Sequence, residues 1–163
     1  MNRALLSLGS NQSPQANLAR AVRALRERFG TLLLSTVYRT RAVGFDGSDF
    51  LNAGALIQTS LEPEALNIWL HALEDAHGRD RSGPRFGDRT LDIDIVLYED
   101  RVMQGPGNLR LPRPDLRHAF VLRPLAEIAP GFVDPLSGLD LATLWARSPH
   151  RDEPMPAVSL DGD

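Results

Sequence analysis

Two aspartates separated by a single residue, Asp92 and Asp94, are the side chains whose type and spacing first indicate chemistry in this sequence. They lie in the segment Leu91 to Tyr98, where acidic and apolar residues alternate as in a strand with one buried face. Because successive side chains of a strand point to opposite sides, both carboxylates face the same way, with Cα atoms about 6.5 to 7 Å apart. The alternation places four apolar residues on the opposite face, namely Leu91, Ile93, Ile95 and Leu97.

A pair of carboxylates at this spacing can converge on a divalent cation. Magnesium prefers oxygen ligands and usually keeps some water and substrate phosphate in its shell. The pair therefore fits phosphoryl-type transfer, in which metal bridges phosphate oxygens and the protein positions and neutralises them. A half-exposed edge strand that merely carries acids gives the same pattern, so the two aspartates alone leave both interpretations open.

Arginines just before the acids favour the first interpretation. Four of them lie within eleven positions in a glycine-containing segment: Arg79, Arg81, Arg85 and Arg89. Guanidinium groups bind phosphate through paired hydrogen bonds, so arginines and metal-holding acids together suit a polyphosphate. The segment Gly78 to Thr90 is long and polar, which predicts a lid over the phosphates, with a disordered surface loop as the alternative.

An aromatic residue and an amide share a face of another predicted strand, Phe50 to Thr59. Phe50 and Asn52 lie on one face, and Leu51, Ala53, Ala55 and Ile57 lie on the other. A flat heterocycle can stack on the phenylalanine while the amide, both donor and acceptor, reads its edge. The same pair is also common as ordinary core and surface.

Composition limits the remaining possibilities. The 163 residues, 42% of them hydrophobic, suit one globular domain, and the net charge of −3 does not suggest nucleic-acid binding. There is no cysteine, which excludes disulfides and thiolate metal sites. All 18 basic residues are arginine, so a phosphate-binding lysine is also excluded. No apolar run approaches a membrane span and no signal peptide is evident, so we expect no membrane partner and a cytoplasmic location.

The predicted elements follow the order strand, helix, strand, strand, helix, strand, which fits a ferredoxin-like βαββαβ α+β sandwich with its helices on one sheet face. The first helix is predicted to follow Ser13 as cap and end at Gly30, and the second to begin at Pro63. The acids would lie on the sheet face away from the helices. Residues 1–147 are predicted to form a single domain, and 148–163 a loosely ordered tail.

Several segments resemble the 6-hydroxymethyl-7,8-dihydropterin pyrophosphokinase family. Arg85 to Leu97 is similar to its signature of aromatic, Gly, Pro, Arg, Thr, Leu, Asp, aliphatic, Asp, and Leu111 to Leu125 is similar to a second family segment. The runs Leu6 to Asn11, Tyr38 to Thr40 and Phe50 to Asn52 resemble pterin-binding segments. The resemblance implies a ferredoxin-like fold with a C-terminal extension. It also implies transfer of pyrophosphate from ATP to the hydroxymethyl pterin, a step of folate biosynthesis that releases AMP.

The resemblance also implies roles for individual residues. The catalytic set would be Arg79, Arg81, Arg89, Asp92 and Asp94, with the two aspartates holding two magnesium ions. The pterin would contact Thr40, Val43, Phe50, Asn52, Phe86 and Phe120. ATP, the co-substrate, would contact Glu74, Arg79, Arg81, Arg89, Ile95, Arg110, Arg113 and His118. The expected partners are these small molecules only, with the chain a monomer.

Among the positions that depart from the family pattern, three bear on ATP affinity and rate. Asp88 stands where the signature has proline, Arg113 where histidine is usual, and His118 where arginine is usual. A catalytically weakened member of the family therefore stays open as an alternative. An RNA-binding module is disfavoured because acids occupy the exposed sheet face, and a metal-dependent phosphohydrolase because a histidine-rich metal shell is lacking.

Overall fold

The computed structural model describes residues 1–41, 49–76 and 91–160. The strands are β1 (Asn2–Ser10), β2 (Leu32–Leu34), β3 (Val37–Thr40), β4 (Phe50–Thr59), β5 (Asp92–Tyr98), β6 (Met103–Gly105), β7 (Leu109–Leu111) and β8 (Ala157–Val158). The helices are α1 (Pro14–Phe29), α2 (Pro63–Ala76), a 3-10 helix (Pro114–Arg117), α3 (Ala119–Ile128) and α4 (Leu141–Ala146). None of the helices in these ranges is long and apolar enough to cross a membrane.

One antiparallel sheet forms the centre of the fold, with strand order β5-β1-β4-β3-β8 and with β2 also paired to β4. The chain is interrupted between the short strands β2 and β3. There the Ser35 amide donates to the Gly54 carbonyl at 2.9 Å, and the Gly54 amide donates to the Ser35 hydroxyl at 2.8 Å. The serine side chain therefore replaces part of the backbone ladder at this break.

The helices α1 and α2 cover one face of the sheet. Leu18, Leu25 and Leu66 pack there with strand residues such as Ala53 and Ile93, which confirms the predicted inward faces of β4 and of the start of β5. The prediction that Ser13 caps α1 through its side chain is wrong. Ser13 has a positive φ of 43° and makes no side-chain cap bond, and its carbonyl accepts from the Asn17 amide instead.

The opposite face is also covered by helices, which corrects the prediction of helices on one face only. Leu5, Val96 and Leu97 are buried there against α3 and the segment after it. The contact with β4 is close at Gly54, where a Cβ would lie 2.7 Å from Leu125 Cδ2. Apolar residues on this face of β1 and β5 require such a cover, because exposed they would form a large hydrophobic patch.

An irregularity in the pairing of β1 with β5 corrects the predicted face of Leu97. Leu5 pairs with Leu97 but Leu6 pairs with Ile95, so Val96 is the extra residue of a bulge. After the bulge, each side chain points to the face opposite to the one that strict alternation predicts. Leu97 consequently packs on the α3 face, whereas Ile93 and Ile95 stay on the α1 and α2 face.

The C-terminal segment differs from the expected loosely ordered tail in its described part. Ala157 and Val158 pair with β3, and the Arg39 amide donates to the Pro156 carbonyl at 2.8 Å. The physical reason is that β3 would otherwise be a sheet edge with unpaired backbone groups. A strand of two residues carries too little pattern to be predicted from sequence.

A hydrogen-bonded group joins α3 to β3. Glu127 accepts from the Tyr38 hydroxyl at 2.6 Å, from the Thr36 amide at 2.7 Å and from the Thr36 hydroxyl at 2.9 Å. Partial burial acts to raise the pKa of Glu127, but the bonds from Tyr38 and Thr36 outweigh it and lower that pKa below the ordinary 4.5. Burial and the bond to Glu127 raise the pKa of Tyr38 above 10.0, so its hydroxyl stays a donor at neutral pH.

We expect Glu127→Gln to lower the Tm at pH 7 by about 2 to 4 °C, the shift that a loss of about 1 kcal/mol gives in a domain of this size. A lowered folded-state pKa contributes stability above the unfolded-state pKa and loses it as the pH falls through the folded-state value. The Tm difference should therefore shrink as the pH falls below about 4.5. Thermal unfolding across pH tests this, with Glu27→Gln, an exposed glutamate of α1, as control. A pH-independent difference would contradict it.

Candidate active site

One predicted metal residue and one predicted pterin residue, Asp92 and Asn52, lie in the same row across the sheet. Gly9 of β1 pairs with Asp92 on one side and with Asn52 on the other, and Asn52 pairs in turn with Tyr38. Residues that oppose each other in a sheet share a face, so Asp92 and Asn52 lie on the same face. The strand β1 lies between their strands, which puts their Cα atoms about 10 Å apart. Asp94 lies on this face as well, opposite Ser7. The structure therefore places the two sets of predicted residues side by side.

Gly9 forms the floor between them. A Cβ at this position would lie 3.0 Å from Asn52 Oδ1, which is tighter than ordinary packing, and 3.8 Å from Phe50 Cδ1, which is an ordinary van der Waals contact. The missing side chain therefore allows the Asn52 amide to lie directly over β1. In the sequence, the signal for this close approach is the position of Gly9 inside a strand.

The amide of Asn52 is held in a fixed orientation. Its Nδ2 donates to the Thr40 hydroxyl at 2.5 Å, and the side chain is buried, with 5% exposed. Phe50 lies opposite Thr40 in the pairing of β3 with β4. Three of the predicted pterin residues are thus brought together. The predicted pterin residues Val43 and Phe86 lie outside the described residues.

Phe120, the second residue of α3, packs against a cluster that contains Tyr38, the residue paired with Asn52. Its ring is stacked against that of His118, with centroids 5.1 Å apart and an interplanar angle of 9°. The carbonyl of His118 accepts from the amides of Val121 and Leu122, so the histidine also forms the start of the helix. The resemblance predicts that His118 contacts ATP, whereas its observed ring contact is with Phe120, a predicted pterin residue.

The guanidinium group of Arg113 lies close to Asp94. Arg113 Nη2 lies 3.6 Å from Asp94 Oδ1, and Arg113 Nε lies 3.6 Å from Asp115 Oδ2. The Arg113 amide donates to the Val96 carbonyl at 2.9 Å, which ties the arginine to β5. Asp94 is 33% exposed, so it can be reached from solvent.

The carboxylates of Asp92 and Asp94 suit a magnesium ion that also binds substrate. Among the described residues there is no group of three histidine, cysteine, aspartate or glutamate side chains that could hold a metal. Two carboxylates on one face supply hard oxygen ligands only. A magnesium ion here would therefore complete its shell with phosphate and water oxygens, which is how this ion is usually bound in phosphate chemistry.

Glu74 and Ile95, both predicted to contact ATP, are buried. Glu74 is 2% exposed and accepts from the Ile93 amide at 2.8 Å, which fixes β5 between its two aspartates. Ile95 is 2% exposed and its side chain packs in the core on the α1 and α2 face. Only the backbone of Ile95 is therefore available to contact a nucleotide. Arg110, in contrast, is exposed on β7.

The predicted lid and its arginines cannot be placed. Arg79, Arg81, Arg85, Asp88 and Arg89 all lie outside the described residues. Their contacts with phosphate stay predictions from the sequence.

We expect His118→Ala to raise the pterin KM about tenfold while changing the ATP KM less than about threefold, because its ring supports Phe120. His118→Arg restores the residue usual in the resembling family and should lower the ATP KM instead. Steady-state kinetics with each substrate varied in turn measures both. If His118→Ala raises the ATP KM and leaves the pterin KM unchanged, His118 contacts ATP rather than supporting Phe120.

Comparison with known proteins shows similarity along most of the chain. Residues 5–130 match the model of the 7,8-dihydro-6-hydroxymethylpterin-pyrophosphokinase (HPPK) family. The chain is 36% identical over 159 residues to a 2-amino-4-hydroxy-6-hydroxymethyldihydropteridine pyrophosphokinase of Synechocystis sp., covering 90% of this chain and 80% of that protein. It is 43% identical over 138 residues to the protein of that name from Methylorubrum extorquens, covering 82% and 86%.

Solved structures are similar in fold. The Plasmodium falciparum protein HPPK-DHPS aligns with a TM-score of 0.68 and 13% sequence identity over 90% of this chain. This chain spans 44% of that solved chain, and at this identity the likeness concerns the fold alone.

Proposed function

Because the chain belongs to the 7,8-dihydro-6-hydroxymethylpterin-pyrophosphokinase family, we propose that it transfers pyrophosphate from ATP to 6-hydroxymethyl-7,8-dihydropterin in folate biosynthesis. The observation that carries the proposal is the row Asp92, Gly9, Asn52 on one sheet face. It sets oxygen ligands for a metal–phosphate group about 10 Å from an amide and aromatic rings suited to a pterin.

The transfer joins the hydroxymethyl oxygen of the pterin to the β-phosphorus of ATP. The bond from that phosphorus to the α,β-bridging oxygen breaks, AMP leaves with the bridging oxygen, and the hydroxyl proton passes to solvent. Catalysis of such a reaction is mainly positioning and electrostatic stabilisation. The described residues supply positioning: Phe50 and Phe120 would stack the pterin, and Asn52 and Thr40 would read its edge.

Asp92 and Asp94 are proposed to hold magnesium, with two ions as the expected number. When bound, magnesium supplies charge neutralisation and orientation of phosphate oxygens. Arg113 lies beside Asp94 and keeps positive charge at the acids, so it is placed to exchange Asp94 for a phosphate oxygen. Arg79, Arg81 and Arg89 are proposed to neutralise the triphosphate, and Arg110 and the Ile95 backbone to complete the ATP site. Glu74 is proposed to support this site by holding the Ile93 amide of β5.

The finer description of the fold is also a proposal: a ferredoxin-like βαββαβ sandwich in one domain, extended at its C-terminus. Its support is the strand order β5-β1-β4-β3, in which β1 lies between β4 and β5 and β4 lies between β1 and β3. Each helical connection then skips one strand, as in a split βαβ unit. We further propose a monomer that acts on small molecules in the cytoplasm, where ATP is the available donor.

Formation of AMP from ATP and magnesium, with and without 6-hydroxymethyl-7,8-dihydropterin, tests the proposed function. We expect AMP only when the pterin is present. Inorganic phosphate released without pterin would indicate a phosphohydrolase instead. Pterin binding without AMP would indicate a member of the family that has lost activity, with Asp88, Arg113 and His118 as the first residues to revert.

A further inference from the structure

The C-terminal segment packs against the back of the proposed pterin site. Met155 is 7% exposed and forms a buried cluster with Tyr38 and Ala119, and Phe120 and Trp145 pack against this cluster. Ala119 and Phe120 are the first residues of α3. The cluster therefore lies where α3 presents its aromatic ring to the sheet.

Tyr38 connects the cluster to the rest of the site. Its backbone pairs with Asn52 on one side and with Ala157 of the C-terminal segment on the other. Its hydroxyl donates to Glu127 of α3, and the Arg123 guanidinium lies 4.7 Å from its ring centroid. A displacement of Met155 would thus be transmitted to Phe120 through buried side chains, because close-packed interiors transmit strain.

The segment has a second anchor far from this cluster. Leu160 and Val158 pack against the core on the α1 and α2 side, and Gln15 Nε2 donates to the Ser159 carbonyl at 2.8 Å. The two anchors have different neighbours. Loss of Leu160 weakens attachment of the segment without touching the Phe120 cluster, which makes it a matched control for Met155.

We propose that Met155 is a positioning residue of the pterin site, which holds Phe120 in its stacking position without touching the pterin. The inference rests on the proposed function for the identity of the ligand. Phe120 is only partly buried, so one part of its ring is available to a ligand while the cluster supports another. An aromatic ring held in place loses less conformational freedom on binding and therefore binds more tightly.

Calorimetry on the full chain tests the proposal, with 6-hydroxymethyl-7,8-dihydropterin titrated in the presence of an ATP analogue whose α,β-bridging oxygen is a methylene. We expect Met155→Ala to weaken pterin binding about tenfold and analogue binding less than about twofold. Met155→Leu, which conserves volume, should restore pterin binding. Leu160→Ala should leave it within about twofold.

Trp145 emission provides a readout that does not depend on the ligand. In a Trp69→Phe background, Met155→Ala should shift the emission to longer wavelength as the cluster opens, whereas Leu160→Ala should not. Equal weakening of pterin binding by both alanine variants, or unchanged binding in Met155→Ala, would overturn the proposal. A wild-type chain that does not bind the pterin while Trp145 still responds to Met155→Ala would remove the proposed function, and this inference with it.

Discussion

Replacement of Asp92 by alanine is expected to lower the rate of pterin-dependent AMP formation about a thousandfold or more. Asp92 pairs with Gly9 and lies on the same sheet face as Asp94, from which it is separated by Ile93. If Asp92 and Asp94 hold magnesium as proposed, loss of one of them removes several kcal/mol of stabilisation from a transition state rich in phosphate charge, and about 1.4 kcal/mol corresponds to tenfold in rate. The expected loss is in kcat rather than in pterin affinity.

The control for this variant is Asp100→Ala, which removes an exposed acid from the turn after the same strand. Rates measured over a magnesium titration should show Asp100→Ala at the wild-type level throughout. Turnover of Asp92→Ala within about tenfold of the wild type at every magnesium concentration would contradict the metal assignment.

Asn52→Ala is the second variant with a large expected effect, about a hundredfold weaker pterin binding. The amide is buried and held by Thr40, so it is preorganised to pair with polar groups on the edge of a heterocycle. Without it, those groups of the pterin are buried with no partner, and specificity built on hydrogen bonds is lost steeply in such cases. ATP binding should change little, because Asn52 lies one strand away from the acids.

Gln58→Ala is the matched control, since Gln58 carries an amide on the same face of the same strand and is exposed at its far end. Pterin affinity by calorimetry should be unchanged in that variant. If Asn52→Ala weakens the ATP analogue as much as the pterin, the amide would be a structural residue rather than a reader of the pterin edge.

Much of the sheet could be predicted from sequence because its signals are local. Alternation in Phe50 to Thr59 identifies the inward residues of β4, and Pro14 and Pro63 mark the starts of α1 and α2. Alternation also places Asp92 and Asp94 on one face, away from Ile93. These features depend on neighbours in the chain, which the sequence displays directly.

The remaining features depend on distant contacts. The bulge at Val96 arises from pairing with β1, and the cover of the second face arises from α3 packing on Gly54. Neither has a signal in the segment concerned. The β8 strand forms because β3 has an edge to cover, not because two residues have a strand pattern.

The site was predicted in the same uneven way. Spacing in the sequence predicts that Asp92 and Asp94 share a face and that Phe50 and Asn52 share a face. The positions of Gly9 under Asn52 and of Arg113 beside Asp94 follow only from the fold. Glu74 shows the limit of motif reasoning most clearly. Its match to a nucleotide residue gave no sign that its carboxylate is buried against the Ile93 amide.

Phosphorus NMR of the reaction mixture tests the central claim most directly, because it identifies the bond that forms. With ATP, magnesium and 6-hydroxymethyl-7,8-dihydropterin, we predict AMP and a pterin-linked diphosphate in equal amounts, so that the β- and γ-phosphates move together. Formation of ADP with a singly phosphorylated pterin, or of free phosphate alone, would contradict pyrophosphate transfer by this site.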